Sequence, residues 1–197
     1  MQERRLISIV VIALAVAATW FQLTHKKSPP LPVYKSVPDF QLTEKSGSPL
    51  TLADLKGKVW LADFFYASCP GPCPMISSRL SSLQEEALKN ESVRLVSIST
   101  QPETDTPEVL RQYAEKFHAV PGKWFFLTGD KSKIYELANK GFLLTSVEQR
   151  DSKDNPVIHS TKLALVDKSG NIRGYYDATD KASEPQILAD IKKLLRE

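Results

Sequence analysis

The chain has 197 residues, which is enough for one ordinary domain and a short extension. Its formal net charge is +3. The first 27 residues hold four of the 26 basic residues and one of the 23 acidic residues, so the remainder is neutral, with 22 of each. A neutral domain excludes nucleic acid as an expected partner, because phosphate binding needs clustered positive charge.

The chain begins with an apolar segment that predicts a membrane anchor. Residues 6–23 carry no charge, and a segment of this length is about the shortest that crosses the hydrocarbon core of a bilayer. Arg4 and Arg5 precede it, so the positive-inside rule places the N-terminus in the cytoplasm. We predict that residues 1–25 form a single-pass anchor in a bacterial inner membrane, with the domain in the periplasm. A cleaved signal peptide is the alternative, and it also exports the domain.

A proline-rich segment follows the anchor. Residues 26–38 contain four prolines and predict an extended linker. The predicted domain covers residues 39–197. It opens with a hairpin whose strands lie over residues 40–43 and 50–52 and whose turn lies at Ser46-Gly47.

Strands and helices alternate in the rest of the domain. Apolar runs predict buried strands over residues 58–67, 93–99 and 123–129. Helical spacing of apolar residues predicts helices that begin near Pro74, at Thr106 and at Asp130. A hairpin that turns at Ser169-Gly170 and an amphipathic helix over residues 183–197 close the chain. This order predicts a thioredoxin-like α/β fold with an N-terminal β-hairpin extension and one N-terminal transmembrane helix.

The only two cysteines, Cys69 and Cys73, lie in the segment FFYASCPGPCPM, between the first central strand and its helix. In open α/β sheets, functional sites gather at this end of the strands. A structural disulfide is disfavoured here, since the stability gained from closing a loop grows with loop length and this loop is short. Because the helix N-terminus carries a partial positive charge, we expect a lowered pKa for Cys73.

The CxxxC spacing fits two kinds of chemistry. The sulfurs can close a redox disulfide, or they can hold a metal ion between them. A metal would need a third ligand, and the chain has three histidines. We expect His25 at the membrane interface and His118 at a helix C-terminus, where the partial negative charge favours it. His159, directly before a predicted strand, is the remaining candidate, while Met75 is expected in the core.

The donor types favour one metal. Two thiolates and an imidazole suit Cu(I), which prefers soft ligands and low coordination numbers. Zinc would need a fourth protein ligand, or a water in a catalytic site, and no fourth ligand is evident beside the cysteines. We therefore expect copper, with Cu(I) first and Cu(II) as the alternative oxidation state.

Four segments, in order, resemble the Sco/SenC family of membrane-anchored copper chaperones for cytochrome c oxidase assembly. CPGPCP resembles the CPxxCP signature of the family, and SISTQPETDTPEVLRQYAEKF resembles its S-x-D-P-x-x-D-T-P segment. WFFLTGDKSKIYELANKGF resembles its L-T-G segment, and IHSTKLALVDKSGNI its H-S-x-x-x-Y-L-x-D-P-x-G stretch. The resemblance runs from about residue 38 to the last residue. It implies a thioredoxin-like fold and a copper site made by Cys69, Cys73 and His159.

The chain departs from the family pattern at several positions outside that ligand set. These are Gly71 and Pro72 in the Cys motif, Gln101 in the second segment, Ile158 before the histidine and Ala164 after it. Many relatives carry Asp in the Cys motif, and an acidic group there disfavours ionisation of the thiols. Its absence favours the thiolate forms, and the client need not be a standard oxidase.

Two functions from different classes stay open. The resemblance implies a copper chaperone that delivers Cu(I) to an oxidase subunit or to another exported copper protein. The alternative is an enzyme, a thiol–disulfide oxidoreductase that reduces client cysteines with Cys69 and Cys73. Peroxidase activity is a weaker third hypothesis, since nothing marks a peroxide-binding pocket. Thioredoxin-like reductases usually carry a cis-proline before the strand that faces the Cys pair; this chain has IHST there, which favours copper.

Overall fold

The computed structural model describes residues 29–144, 147–149 and 157–197, with the backbone alone for residues 147–149 and 157–159. The chain divides into two units, Met1–Pro30 and the compact domain Leu31–Glu197. Within the described ranges, no helix has both the length and the apolar character needed to span a bilayer. The predicted anchor, residues 1–25, lies outside these ranges.

The described part of the domain contains ten strands and five α-helices. The strands are β1 (Lys35–Ser36), β2 (Gln41–Glu44), β3 (Pro49–Thr51), β4 (Val59–Phe65), β5 (Val93–Ser99), β6 (Trp124–Thr128), β7 (Val147–Gln149), β8 (Val157–His159), β9 (Lys162–Val166) and β10 (Asn171–Asp177). The helices are α1 (Leu52–Leu55), α2 (Cys73–Ala87), α3 (Pro107–Lys116), α4 (Lys131–Glu136) and α5 (Ser183–Arg196). A π-helical turn, Leu137–Gly141, continues α4.

Eight of the described strands form one sheet in the order β1-β10-β9-β4-β5-β6-β2-β3, and β7 and β8 pair separately. Strands β4, β5 and β6 are parallel, and β9 runs antiparallel to β4. All seven residues of β4 are buried, as expected for a central strand covered on both faces. The predicted α/β, thioredoxin-like arrangement is confirmed.

Alternate side chains of β4 enter two different cores. Phe65 and the alternate apolar residues of β4 on its side pack under α2, α3 and α5, together with Leu80 and Ile187. Trp60 and Phe64 face the other way and contact the ring of Phe142, at centroid distances of 5.9 and 5.3 Å. The apolar run of β4 therefore follows from burial on both faces rather than from a one-sided pattern.

The predicted N-terminal hairpin is confirmed. Strands β2 and β3 pair antiparallel, and Gly47 in their turn has a φ of +86°, a conformation that glycine adopts without steric cost. Strand β2 also pairs with β6, with Thr43 opposite Thr128. The hairpin therefore extends the edge of the main sheet.

The helix starts expected from the sequence are also found. The Thr106 side chain accepts a hydrogen bond from the backbone N–H of Val109 at the start of α3. The Asp130 carboxylate accepts one from Lys133 at the start of α4. Each side chain satisfies a backbone donor that has no partner within its helix.

The compact unit begins at Leu31, within the segment that the sequence predicts as a linker. Strand β1 pairs with β10, and Val37 is buried. The guanidinium of Arg173 donates hydrogen bonds to the carbonyl oxygens of Leu31, at 2.7 Å, and Pro32, at 3.0 Å. The second half of the predicted linker, from Leu31, thus packs on the domain.

Candidate functional site

The two cysteines lie where the central strand gives way to a helix. Cys69 is in the loop after β4, and Cys73 is the first residue of α2. Both thiols are free, and each residue is only 5% exposed. Between them, Pro70 and Gly71 are exposed, whereas the two cysteines are not, so the ready access that ligand exchange requires is not present in this state.

The start of this loop is fixed to the neighbouring strand. The backbone N–H of Thr100, just after β5, donates to the carbonyl of Phe65 at 2.8 Å. The N–H of Ala67 donates to Oδ2 of Asp105 at 2.9 Å. The N–H of Cys69 turns back to the carbonyl of Tyr66 at 3.2 Å. These bonds set where the loop leaves the sheet.

A carboxylic acid is buried beneath the cysteines. Asp63, in β4, is 3% exposed and accepts a hydrogen bond of 2.5 Å from the hydroxyl of Ser97. That hydroxyl oxygen accepts in turn from the indole N–H of Trp124, at 2.9 Å. Burial raises the pKa of Asp63 to about 7, and the bond from Ser97 opposes the shift only in part.

The pKa of Cys73 is raised, and the lowering expected from the helix N-terminus is wrong for the metal-free dithiol. Burial is the largest cause, because it removes the thiolate from water. A hydrogen bond with Cys69 and the charge of Asp63 raise it further, while the backbone N–H of Tyr66 lowers it. Desolvation outweighs the helix dipole here, since the dipole is worth about 2 kcal/mol at most.

For the predicted third ligand, His159, the structure describes the position of the backbone. His159 lies in β8, opposite Val147 in β7. Strand β8 lies within 8 Å, between Cα atoms, of β4, the strand that leads into the Cys turn. The imidazole lies outside the described residues, so the ligand set of Cys69, Cys73 and His159 stays a prediction. Among the side chains that the structure describes, no group of three His, Cys, Asp or Glu could hold a metal ion.

The other residues considered from the sequence fall in different places. His118 follows the end of α3 with a φ of +53°, so its expected place at a helix C-terminus is confirmed, and its carbonyl accepts a hydrogen bond from Gln84. Met75 is 43% exposed, so its expected place in the core is wrong. Neighbours on one face of a helix are three or four positions apart, as Cys73 and Ile76 are, and Met75 lies away from the buried face that carries them. His25 lies outside the described residues.

Sequence reasoning missed two of the residues that surround the cysteines. Asp63 lies within an otherwise apolar strand, and an acidic residue in such a run was the available signal. Asp105 precedes the helix cap Thr106 and so has the sequence context of a turn residue. Its bond to Ala67 joins residues 38 positions apart, which no local pattern indicates.

A mixed sheet with a parallel centre and a dithiol at the end of its central strand defines a thioredoxin-like protein whose two sulfurs can exchange a disulfide or bind a soft metal ion. A family model described as SCO1/SenC matches residues 30–196. The chain therefore belongs to the SCO1/SenC family.

Three solved structures are similar to this chain. A SCO1/SenC family lipoprotein from Bacillus anthracis str. Ames is 31% identical, with a TM-score of 0.75, over 83% of this chain and 96% of that one. BsSco, a member of the Sco family of cytochrome c oxidase assembly proteins in which a disulfide switch was identified, is 30% identical, with a TM-score of 0.73, over 87% and 99%. Bradyrhizobium japonicum ScoI with copper bound is 25% identical, with a TM-score of 0.67, over 81% and 99%.

Proposed function

We propose that this protein binds Cu(I) through the sulfurs of Cys69 and Cys73 and the imidazole of His159, and delivers it to an exported copper protein. The observation that carries the proposal is the presence of two free thiols in one buried turn. Copper binding by a SCO1/SenC relative, ScoI of Bradyrhizobium japonicum, supports it. A respiratory oxidase subunit is the first candidate client, since BsSco belongs to the cytochrome c oxidase assembly proteins.

The charges at the site suit a monovalent soft cation. Two thiolates would place two negative charges in a buried pocket above Asp63, and burial already raises the pKa of Cys73. A bound cation offsets this charge, so copper binding and loss of the thiol protons occur together. Thiolate sulfur and imidazole nitrogen are ligands that Cu(I) accepts at low coordination number.

Delivery requires exchange of the ligands of the copper one at a time. A client thiolate or imidazole would bind the ion as Cys69 or Cys73 leaves, with no change in the oxidation state of the metal. Both cysteines are buried, so the client reaches the ion when the exposed segment around Pro70 and Gly71 moves aside. Residues 1–25, as a membrane anchor, would hold the domain on the periplasmic side of a bacterial inner membrane, near such a client.

Thiol–disulfide exchange is the second candidate function, and the presence of two free thiols in one turn, three residues apart, favours it. In this reaction one thiolate attacks a client disulfide, and the second displaces the client from the mixed disulfide. The products are a Cys69–Cys73 disulfide and a reduced client dithiol, so two electrons pass to the client. The disulfide switch identified in BsSco supports this chemistry for the pair.

A titration of the reduced full-length protein with Cu(I), in competition with a chelator, tests the proposal. We expect one tightly bound ion per chain, and none in the double variant Cys69→Ser, Cys73→Ser. His159→Ala should weaken Cu(I) binding at least about 100-fold, near the upper end of what loss of a ligand-supporting group costs, while the Cys69–Cys73 disulfide still forms.

His118→Asn is the matched control, because asparagine tolerates the positive φ at this position. It should bind Cu(I) as tightly as the parent. Equal affinity in His159→Ala would exclude His159 as a ligand. No Cu(I) binding by the parent, together with rapid reduction of a client disulfide, would replace the chaperone by the oxidoreductase.

A further inference from the structure

The buried carboxylate of Asp105 accepts a hydrogen bond from Ala67, the first residue of the cysteine loop, which comprises residues 67–72. Asp105 lies between β5 and α3 and is 1% exposed. Its Oδ2 accepts the N–H of Ala67, at 2.9 Å, and the hydroxyl of Ser99, at 2.6 Å. The hydroxyl of Thr104 lies 3.4 Å from the other oxygen, Oδ1. The side chain of one loop thus anchors the backbone of another.

Asp105 is itself held in place by its own loop. Its backbone N–H donates to the carbonyl of Gln101 at 2.9 Å, and the N–H of Gln101 donates to the hydroxyl of Ser99 at 3.1 Å. The adjacent Thr106 caps α3. The carboxylate of Asp105 therefore extends from a turn that is fixed at both ends. Among the groups that donate hydrogen bonds to it, the N–H of Ala67 is the one that belongs to the cysteine loop.

The cysteine loop has few donors with which to fix itself. Between Ala67 and Cys73, the residues Pro70 and Pro72 have no backbone N–H. The end of β4, before the loop, is hydrogen-bonded to the end of β5 through Phe65 and Thr100. The bond from Ala67 to Asp105 adds a second hydrogen bond, and this one is made by a residue of the loop itself. A charge-assisted bond of this kind is about twice as strong as one between neutral groups.

We propose that Asp105 is a positioning residue for the cysteine pair, which holds the loop of residues 67–72 in the position where both cysteines are buried. With the bond intact, Cys69 stays at a fixed distance from Cys73, and both remain buried. When the bond opens, the loop moves away and the sulfurs meet solvent or a client. The consequence for copper rests on the proposed function, whereas the consequence for thiol access does not require a metal.

Two measurements on the full chain test this role. The first is the rate at which the metal-free thiols react with an aromatic disulfide reagent, and the second is the Cu(I) dissociation constant from chelator competition. Asp105→Ala should raise the reaction rate at least about 10-fold, because the loop opens more often. It should weaken Cu(I) binding about 10- to 100-fold, as loss of groups that orient metal ligands does.

Three further variants separate positioning from general destabilisation. Asp105→Asn keeps an acceptor oxygen without the charge, so it should raise the reaction rate only about 3-fold and partly restore Cu(I) binding. Ser99→Ala removes one bond to Asp105 but leaves the bond from Ala67, and its effect should be smaller still. Asp130→Ala removes a comparable cap bond at α4 and should match the parent in both measurements.

The outcomes distinguish this proposal from the proposed function. If folded Asp105→Ala behaves like Asp130→Ala in both measurements, the positioning role is overturned. If Asp105→Ala does not fold, Asp105→Asn decides, and a parental reaction rate in that variant overturns the role. If the parent binds no Cu(I) while Asp105→Ala still reacts faster, the copper function fails and the positioning of the thiols stands.

Discussion

At the residue scale, Asp63 is an acidic group buried in the central strand. Its carboxyl lies on the same side of β4 as Phe65, with one side-chain donor, Ser97, and its folded pKa is raised to about 7 by burial. In the unfolded chain the pKa returns to 3.8. Between pH 3.8 and pH 7 the folded state binds the proton of Asp63 more tightly than the unfolded state does. The contribution of Asp63 to the unfolding free energy is therefore highest below pH 4, and it declines as the pH rises to about 7.

We predict that Asp63→Asn removes this decline. The parent should lose roughly 3 to 4 kcal/mol of unfolding free energy between pH 4 and pH 8 through this group, because each pKa unit is worth about 1.4 kcal/mol. The variant should become more stable relative to the parent as the pH rises. Chemical denaturation across this range gives the difference. Asp39→Asn, at an exposed position, is the control, and the prediction fails if the three proteins share one pH dependence.

At the element scale, helix α2 connects the cysteines to the core. Its buried face carries Ile76, Leu80, Leu83 and Ala87, as the helical spacing in the sequence predicts. The same face begins with Cys73, and Ser77 on it exchanges a hydrogen bond of 2.9 Å with the hydroxyl of Tyr113 in α3. The position of Cys73 therefore depends on how the whole helix packs against the sheet.

We predict that Leu80→Ala lowers the unfolding free energy by about 2 to 5 kcal/mol, since it leaves a cavity in a well-packed core. Leu80 is 2% exposed. Ser82→Ala, on the exposed face of the same helix, should change stability by less than about 0.5 kcal/mol. Denaturant titration of both variants measures this, and a similar loss in the two would show that α2 does not bury its predicted face.

The elements that the sequence predicts are those with local signals. Gly47 and Gly170 mark turns because of their backbone freedom, and Thr106 and Asp130 mark helix starts because their side chains cap nearby N–H groups. Burial of Cys69 and Cys73 and the bond from Ala67 to Asp105 depend on contacts between distant segments. The location of the cysteines was predictable, whereas their burial and the raised pKa of Cys73 were not.

At the scale of the whole molecule, residues 31–38 are part of the compact domain. Leu31 and Pro32 are held by Arg173, which also pairs with Asp167 at 2.9 Å and with Glu197 at 2.8 Å. The guanidinium thus joins the start of the domain, the turn after β9 and the last residue of the chain. This network explains why the compact unit begins at Leu31 and not at residue 39.

We predict that a chain starting at residue 39 is less stable than one starting at residue 31 by about 2 to 4 kcal/mol. The shorter chain loses the burial of Val37, worth roughly 1.5 kcal/mol, and several hydrogen bonds worth about 1 kcal/mol each, and the entropy cost of ordering residues 31–38, which it avoids, offsets part of this loss. Urea denaturation of the two chains measures the difference. Equal midpoints with equal slopes would mean that the segment before residue 39 contributes nothing to the fold.

The pairing of β1 fixes its place relative to the cysteine turn. Lys35 lies opposite Ile172, Ile172 opposite Val166 and Val166 opposite Trp60, so β1 sits level with the beginning of β4. The cysteine turn follows the far end of that strand, roughly 20 Å away at about 3.3 Å per residue. Strand β1 and the cysteine turn therefore lie at opposite ends of the sheet. A protein that docks over the sulfurs would leave β1, and the residues of β10 that pair with it, uncovered.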